Sequence, residues 1–192
     1  MIYLEIHGYK TFNSDMTDKF CSTKFEEGKT YEVTNPERIF FNRNGYHFCK
    51  RLEDTFGFFD PMNEEVICAE VTAFGEINRH DDYQTGYEDM YAARKIRIDK
   101  ILTREEILNI YLDRKCEGKR VVRFLDSFRL TPEELERFRT FWVTNSKKSV
   151  VTLLGNGRYL YEYENEIKLI HKAIRKQAKK YEKNGYCYKK KQ

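Results

Sequence analysis

The sequence predicts an α+β protein, with an N-terminal antiparallel β-rich module and a mostly helical C-terminal part ending in a long basic amphipathic helix. Three observations carry this. Apolar and polar side chains alternate with period two in several short stretches before residue 103, the mark of half-buried strands. Two helix-start signals, Thr103-Arg104-Glu105-Glu106 and Thr131-Pro132-Glu133-Glu134, lie beyond them. Near the end, Leu160, Tyr163, Ile167, Ile170, Ile174, Ala178 and Tyr181 step by three and four, as one face of a helix does.

Residues 2–6 alternate and predict the first strand, which His7-Gly8-Tyr9-Lys10 would end; Asn13-Ser14-Asp15 is turn chemistry. A second strand is expected over 30–34, broken by Asn35-Pro36, with a short apolar piece at 39–41. Residues 42–45 read as a hairpin turn before a strand at 46–49 that carries His47. Leu52, Phe56 and Phe59 share one face of a helical turn or two, which Asp60-Pro61 stops. Residues 66–77 form the longest strand, with Ile67, Ala69, Val71 and Ala73 on its apolar side, Glu70 on the other, and Gly75 as a bulge. Residues 78–93 read as a polar loop, and alternation resumes over 95–102.

The Thr103 signal predicts a helix to about Lys115, with Ile107, Ile110 and Tyr111 inward and Gly118 closing it. Residues 121–125 read as another strand. The Thr131 signal starts a helix carrying Leu135, Phe138, Phe141 and Trp142; residues 150–154 are strand-like, and Gly155-Asn156-Gly157 is a turn. The last helix has Glu162, Glu164 and Glu166 near its start and lysines near its end, the order its dipole favours. A boundary near Gly118 divides a β-rich module, 1–118, from a basic helical region, 119–192.

Apolar residues make up 40% of the chain and aromatics 15%, ample material for a core. No apolar run approaches the roughly 18 residues of a membrane span, and the N-terminus lacks the pattern of a signal peptide. A cytoplasmic protein is expected. Five scattered cysteines without C-x-x-C spacing suggest reduced thiols, not a disulfide framework or a zinc ribbon. The net charge of +4 hides an asymmetry: the tail from Lys168 carries +9, leaving −5 on everything before it. A basic end on a mildly acidic body calls for an anionic partner.

Phosphate-loop, dinucleotide, zincin and nucleophile-elbow motifs are all absent, which removes the commonest nucleotide-hydrolase, dehydrogenase, metalloprotease and esterase readings. The catalytic candidates are His47, His7, Lys10, Glu70 and Glu76. If the strands bearing His7 and His47 pair, two imidazoles beside Lys10 suit RNA cleavage: one removes the 2′-hydroxyl proton, one protonates the leaving oxygen, and the cation steadies the phosphorane. The plainer reading of His47 is a half-buried ring bonded to backbone, and of the two glutamates, solvent-facing acids on a sheet. His80, Asp81, Asp82, Glu88 and Asp89 read better as an acidic loop than as a cation site, so neither metal nor cofactor is expected. Lys168, Lys172, Arg175, Lys176, Lys179, Lys180 and Lys183 line the basic helix, and Tyr186 and Tyr188 beyond it are placed to stack on bases. The heptad-like stripe opposite can pair with a second copy or pack on the body.

Gly8-Tyr9-Lys10, Phe25-Glu26-x-Gly28-Lys29-x-Tyr31, Gly45-Tyr46-His47-Phe48-Cys49, Leu52-Glu53-Asp54, Cys68-Ala69-Glu70-Val71, Gly75-Glu76-Ile77, Lys95-Ile96 and Leu102-Thr103 together resemble a module of uncharacterised phage and prophage proteins over residues 6–107. That resemblance implies a mobile-element protein acting in a bacterial host cell. The resemblance implies no reaction; joined to the basic helix, it leads to the expectation of an anti-CRISPR-type inhibitor that binds a guide-RNA-loaded nuclease through that helix, with cleavage or displacement of its RNA as the open alternatives. A fainter similarity, Gly45 to Gly75, is to the ADP-ribosyltransferase fold, without a clear start motif, S-T-S element or terminal catalytic Glu motif. It implies an enzyme modifying a host protein through Glu70 or Glu76. A binding module without catalysis, its tail on an acidic protein, is the third reading.

Overall fold

The computed structural model describes residues 5–19, 23–34, 38–40, 44–62, 64–79, 89–113, 115–144 and 157–183, with side chains omitted at 143–144, 157–164 and 182–183. Two compact units result, Met1–Arg104 and Glu105–Gln192. Both strands and helices are present, as an α+β chain requires.

The first unit holds β1 (Ile6–Asn13), β2 (Thr30–Glu32), β3 (Tyr46–Cys49), the single helical turn α1 (Leu52–Thr55), β4 (Val66–Arg79) and β5 (Met90–Ile101). Pairing is antiparallel and closes on itself: β1 pairs β3 and β4, and β5 pairs β3 and β4 as well. The result is barrel-like, with β2 attached to β5 as an edge strand. Phe12, Phe25, Phe48, Ala69, Val71, Ala73, Ala93, Ile96 and Ile98 fill the interior. Alanines on β4 and β5 leave room for phenylalanine rings from β1, β3 and the segment after β1.

The strand at 66–77 is present and slightly longer than expected, and its bulge falls at Gly75, where φ is 75° and the register to β5 shifts. Several expectations are corrected. His7-Gly8-Tyr9-Lys10 does not end the first strand but lies inside β1. Gly8 is needed there, because a Cβ would strike the carbonyl oxygen of Cys49 on β3. Asn44-Gly45 precedes β3 without making a hairpin, since β3 pairs with β1 and β5. The supposed loop at 78–93 is strand at both ends, because β4 runs to Arg79 and β5 starts at Met90. Residues 2–4 and the acidic stretch 80–88 lie outside the described residues.

The second unit contains α2 (Arg104–Tyr111, from Glu105), α3 (Gly118–Ser127), α4 (Pro132–Arg139), a π-helical turn (Thr140–Thr144) and α5 (Gly157–Lys183). Thr131 caps α4 as its sequence announced: its Oγ1 accepts from Glu134 N, and Glu134 Oε2 accepts from Thr131 N. Residues 121–125 are helix, not strand, and Gly118 begins α3 instead of closing α2. The reason is packing: Val121, Phe124, Leu125 and Phe128 are buried at helical spacing, a pattern that a five-residue apolar window cannot reveal. Phe124 stacks on Tyr111 with ring centroids 3.9 Å apart and on Phe128 at 4.9 Å, and Trp142 Nε1 donates to the Tyr111 carbonyl. Tyr111 thus belongs to the helical core, which is why the chain divides after Arg104 and not near Gly118.

Helix α5 lies beside α3 and runs parallel to it, since Gly118 approaches Glu166, Asp126 meets Lys176, and Leu130 meets Tyr181. Ile170, Ala173, Ile174 and Tyr181 are buried within the chain, so in this unit the stripe packs on its own body. Residues 150–154 and Gly155-Asn156 lie outside the described residues; Gly157 opens α5.

Candidate functional site

The imidazole and lysine of the RNA-cleavage arrangement are both in the barrel unit, but not as a working pair. Lys10 is 5% exposed; its ammonium meets the Asp18 carboxylate, donates to the His47 carbonyl oxygen at 2.9 Å, and sits 5.4 Å from the Phe12 ring centre. A buried lysine needs such an anion and carbonyl, because desolvation without partners would cost several kcal/mol. His47 is half-buried. Burial, with the Lys10 charge adding to it, pulls its pKa down to about 4. The ring is therefore neutral at pH 7 and a weak base there, which removes the ground for assigning it the acid of a neutral-pH reaction.

His7 does not join it. Tyr9 faces Cys49, so the residue level with His47 is Thr11, four positions or about 13 Å along β1 from His7. His7 also points to the opposite face from Lys10: its Nδ1 lies 2.9 Å from Thr72 Oγ1, while Lys10 lies over Phe12 and Phe25 of the interior.

Glu70 and Glu76 share the outer face of β4 but stand six residues apart, about 20 Å along a strand. Glu70 is exposed opposite Tyr9 and Lys100. Glu76 accepts from Arg94 Nη2 at 2.6 Å, and that hydrogen bond, with the Ile39 backbone and the Arg38 charge, holds it below the usual carboxylate range. The two form no carboxylate pair.

The basic helix is where cations converge. Lys172, Arg175, Lys176, Lys179 and Lys180 line an open groove of about 530 Å³. They form two rows on α5, Lys172-Lys176-Lys180 and Arg175-Lys179, with about 6 Å of rise between members. All five are exposed. Lys176 Nζ reaches Asp126 at 2.7 Å, and Arg175 Nε donates to His171 Nε2 at 3.1 Å. Lys172, Lys179 and Lys180 have no carboxylate at ion-pair distance among the described residues. Lys168 is exposed one turn before the groove; the Lys183 side chain, Tyr186 and Tyr188 lie outside what is described.

The face behind this groove is pinned. Gln177, 3% exposed, donates through Nε2 to the carbonyls of Leu125 at 2.5 Å and Phe128 at 2.7 Å, and Tyr181 donates to the Leu130 carbonyl. These carbonyls close the C-terminal end of α3, where backbone acceptors lack helical partners. Gln177 and Asp18 were not legible as site residues: Gln177 sits within a polar run, and Asp18 gains its role only when the chain folds back onto β1. Among the described residues no group of three or more His, Cys, Asp or Glu side chains is arranged to hold a metal. No helix among them is long and apolar enough to cross a membrane.

Residues 6–110 match the family model described as a domain of unknown function, DUF7666. The match spans more than half of the chain, which therefore belongs to that family. No curated protein and no solved structure gives a significant match to the chain. The matched span covers the barrel and α2; the groove on α5 lies beyond it.

Proposed function

We propose that this DUF7666-family chain binds RNA through the groove on α5, and that it meets this RNA in a guide-loaded nuclease of a bacterial host, which it inhibits. One observation supports the binding: five exposed cations line a single groove, and only Lys176 among them has a carboxylate partner among the described residues. Flexible ammonium groups at regular helical rise suit a phosphate backbone, which is read as a line of charge rather than as a shape. The host setting comes from the resemblance to phage proteins and says which RNA to try first. The ADP-ribosyltransferase-like alternative would need Glu70 or Glu76, and the second is held by Arg94.

The test is fluorescence anisotropy of a labelled single-stranded guide RNA against the full chain between 50 and 200 mM salt. Five phosphate contacts give a slope near −3.5 in log affinity against log salt, about a hundredfold loss across that range. Replacing all five groove cations by glutamine should remove most of the affinity and flatten the slope. Unchanged affinity and slope would refute the proposal. Binding that an acidic protein, but not RNA, competes away would identify the protein-binding alternative.

A further inference from the structure

Four strands place His7, Thr72, Arg97 and Thr30 in one row across the barrel: His7 faces Thr72, and Thr72 and Thr30 flank Arg97. Val71 and Ala73, on either side of Thr72, point into the core, so the row lies on the outer face. Asp99 sits two residues from Arg97 on the same strand. Its carboxylate accepts from Thr72 Oγ1 and from Arg97 Nε, each at 2.5 Å.

The proton positions in this chain follow from what each group can do. A carboxylate beside a guanidinium accepts only, so the single hydroxyl proton of Thr72 goes to Asp99. Thr72 then has only lone pairs to offer His7, whose Nδ1 is 2.9 Å away. The neutral imidazole therefore carries its proton on Nδ1, and Nε2 keeps its lone pair. Thr72 is fully buried, whereas His7 and Arg97 are exposed. The buried Thr72, held by the half-buried Asp99, thus fixes the tautomer of an exposed ring. Arg97 lies 5.4 Å from the Phe74 ring centre and binds Asp99 through Nε, leaving both Nη groups for an anion. Two strand spacings separate His7 from Arg97, about 10 Å, the span of one ribose and its phosphate.

We propose that this row is a phosphodiester transesterification site acting on RNA, with His7 as the catalytic base, Arg97 as the phosphate-binding cation, and Thr72 and Asp99 as positioning residues. His7 Nε2 takes the 2′-hydroxyl proton, the O2′–P bond forms, and the P–O5′ bond breaks. The departing O5′ is protonated by water, and the histidinium returns its proton to that water. The products are a 2′,3′-cyclic phosphate and a 5′-hydroxyl, with no co-reactant consumed. The row replaces the His7, His47 and Lys10 arrangement, because the fold brings Lys10 to His47 but sets His7 apart from both.

The experiment uses full-length protein and the dinucleotide uridylyl-adenosine, followed by chromatography. With one phosphate, this substrate makes its turnover a separate reading from long-RNA binding, which anisotropy measures. The expected result is cyclic product, a loss of at least about a hundredfold in His7→Ala, and partial rescue by added imidazole. Arg97→Met should raise KM more than it lowers kcat. Thr72→Val should lower kcat about tenfold with KM unchanged. Nitrogen-15 NMR of the wild-type ring should show the proton on Nδ1, a readout that stands even if Thr72→Val fails to fold. No cyclic product from the wild type, equal turnover by His7→Ala, or a proton on Nε2 would each overturn the proposal.

Discussion

In the barrel unit cations meet carboxylates: Lys10 meets Asp18, Arg94 meets Glu76, Lys95 meets Glu32 and Arg97 meets Asp99. On α5 Lys172, Lys179 and Lys180 meet none among the described residues, and only Lys176 reaches Asp126. Exposed ion pairs contribute little to stability, so outside the buried Lys10–Asp18 pair the difference between the units is not one of strength. It is one of surface potential. Each of those pairs is locally neutral, whereas the rows on α5 place like charges at helical i, i+4 spacing, where each pair is slightly destabilising. The helix tolerates this because its other face is held by Ile170, Ile174, Gln177 and Tyr181. An anion in the groove would relieve the repulsion, which is the physical content of the RNA-binding proposal.

The largest effect that sharpens this comparison comes from the support beneath the groove. Phe124 is fully buried against Tyr111, Phe128 and Phe138. Phe124→Ala should cost about 3–5 kcal/mol in urea denaturation. A loss below about 1 kcal/mol would mean that the stack is not the core of the helical unit.

His47 gives the barrel a pH dependence. Its pKa of about 4 lies below the ordinary value of 6.5, so between those values the unfolded chain binds more protons than the folded one. Stability from this group is complete above pH 6.5 and is lost as pH falls toward 4, by about 3 kcal/mol at most. Denaturation across that window should show the fall, and His47→Gln should flatten it. An equal fall in the variant would assign the effect to other groups.

Gln177→Leu should cost about 2 kcal/mol, because it leaves the Leu125 and Phe128 carbonyls buried without their donor. The smallest effects differ in sign. Lys180→Gln should stabilise the chain by a few tenths of a kcal/mol at low salt, by relieving repulsion. Lys95→Gln should destabilise it by a similar amount, by breaking the pair with Glu32. The same sign for both in thermal melts would end the contrast between the units.

Local rules made the elements with strong local signals legible. Thr131-Pro132 capped a helix as its chemistry dictates, Gly75 took the left-handed backbone of a bulge, and α5 buried the face its periodicity marked. The groove cations were readable too, since neighbours on one helix are set by spacing alone. The short apolar window at 121–125 was not, because five residues cannot separate period two from period 3.6. Nor was β1, whose inward side places Gly8 and Lys10 between Ile6 and Phe12. Sequence by itself determined the fold class, the basic face and the helix starts, all matters of contact between residues a few positions apart. Only the tertiary structure decided that His7 and His47 stay apart, that Asp18 neutralises Lys10, and that Thr72 and Asp99 stand behind His7. Those contacts join residues 8 to 65 positions apart; strand register sets those of His7, Thr72 and Asp99, and the turn after β1 sets that of Asp18.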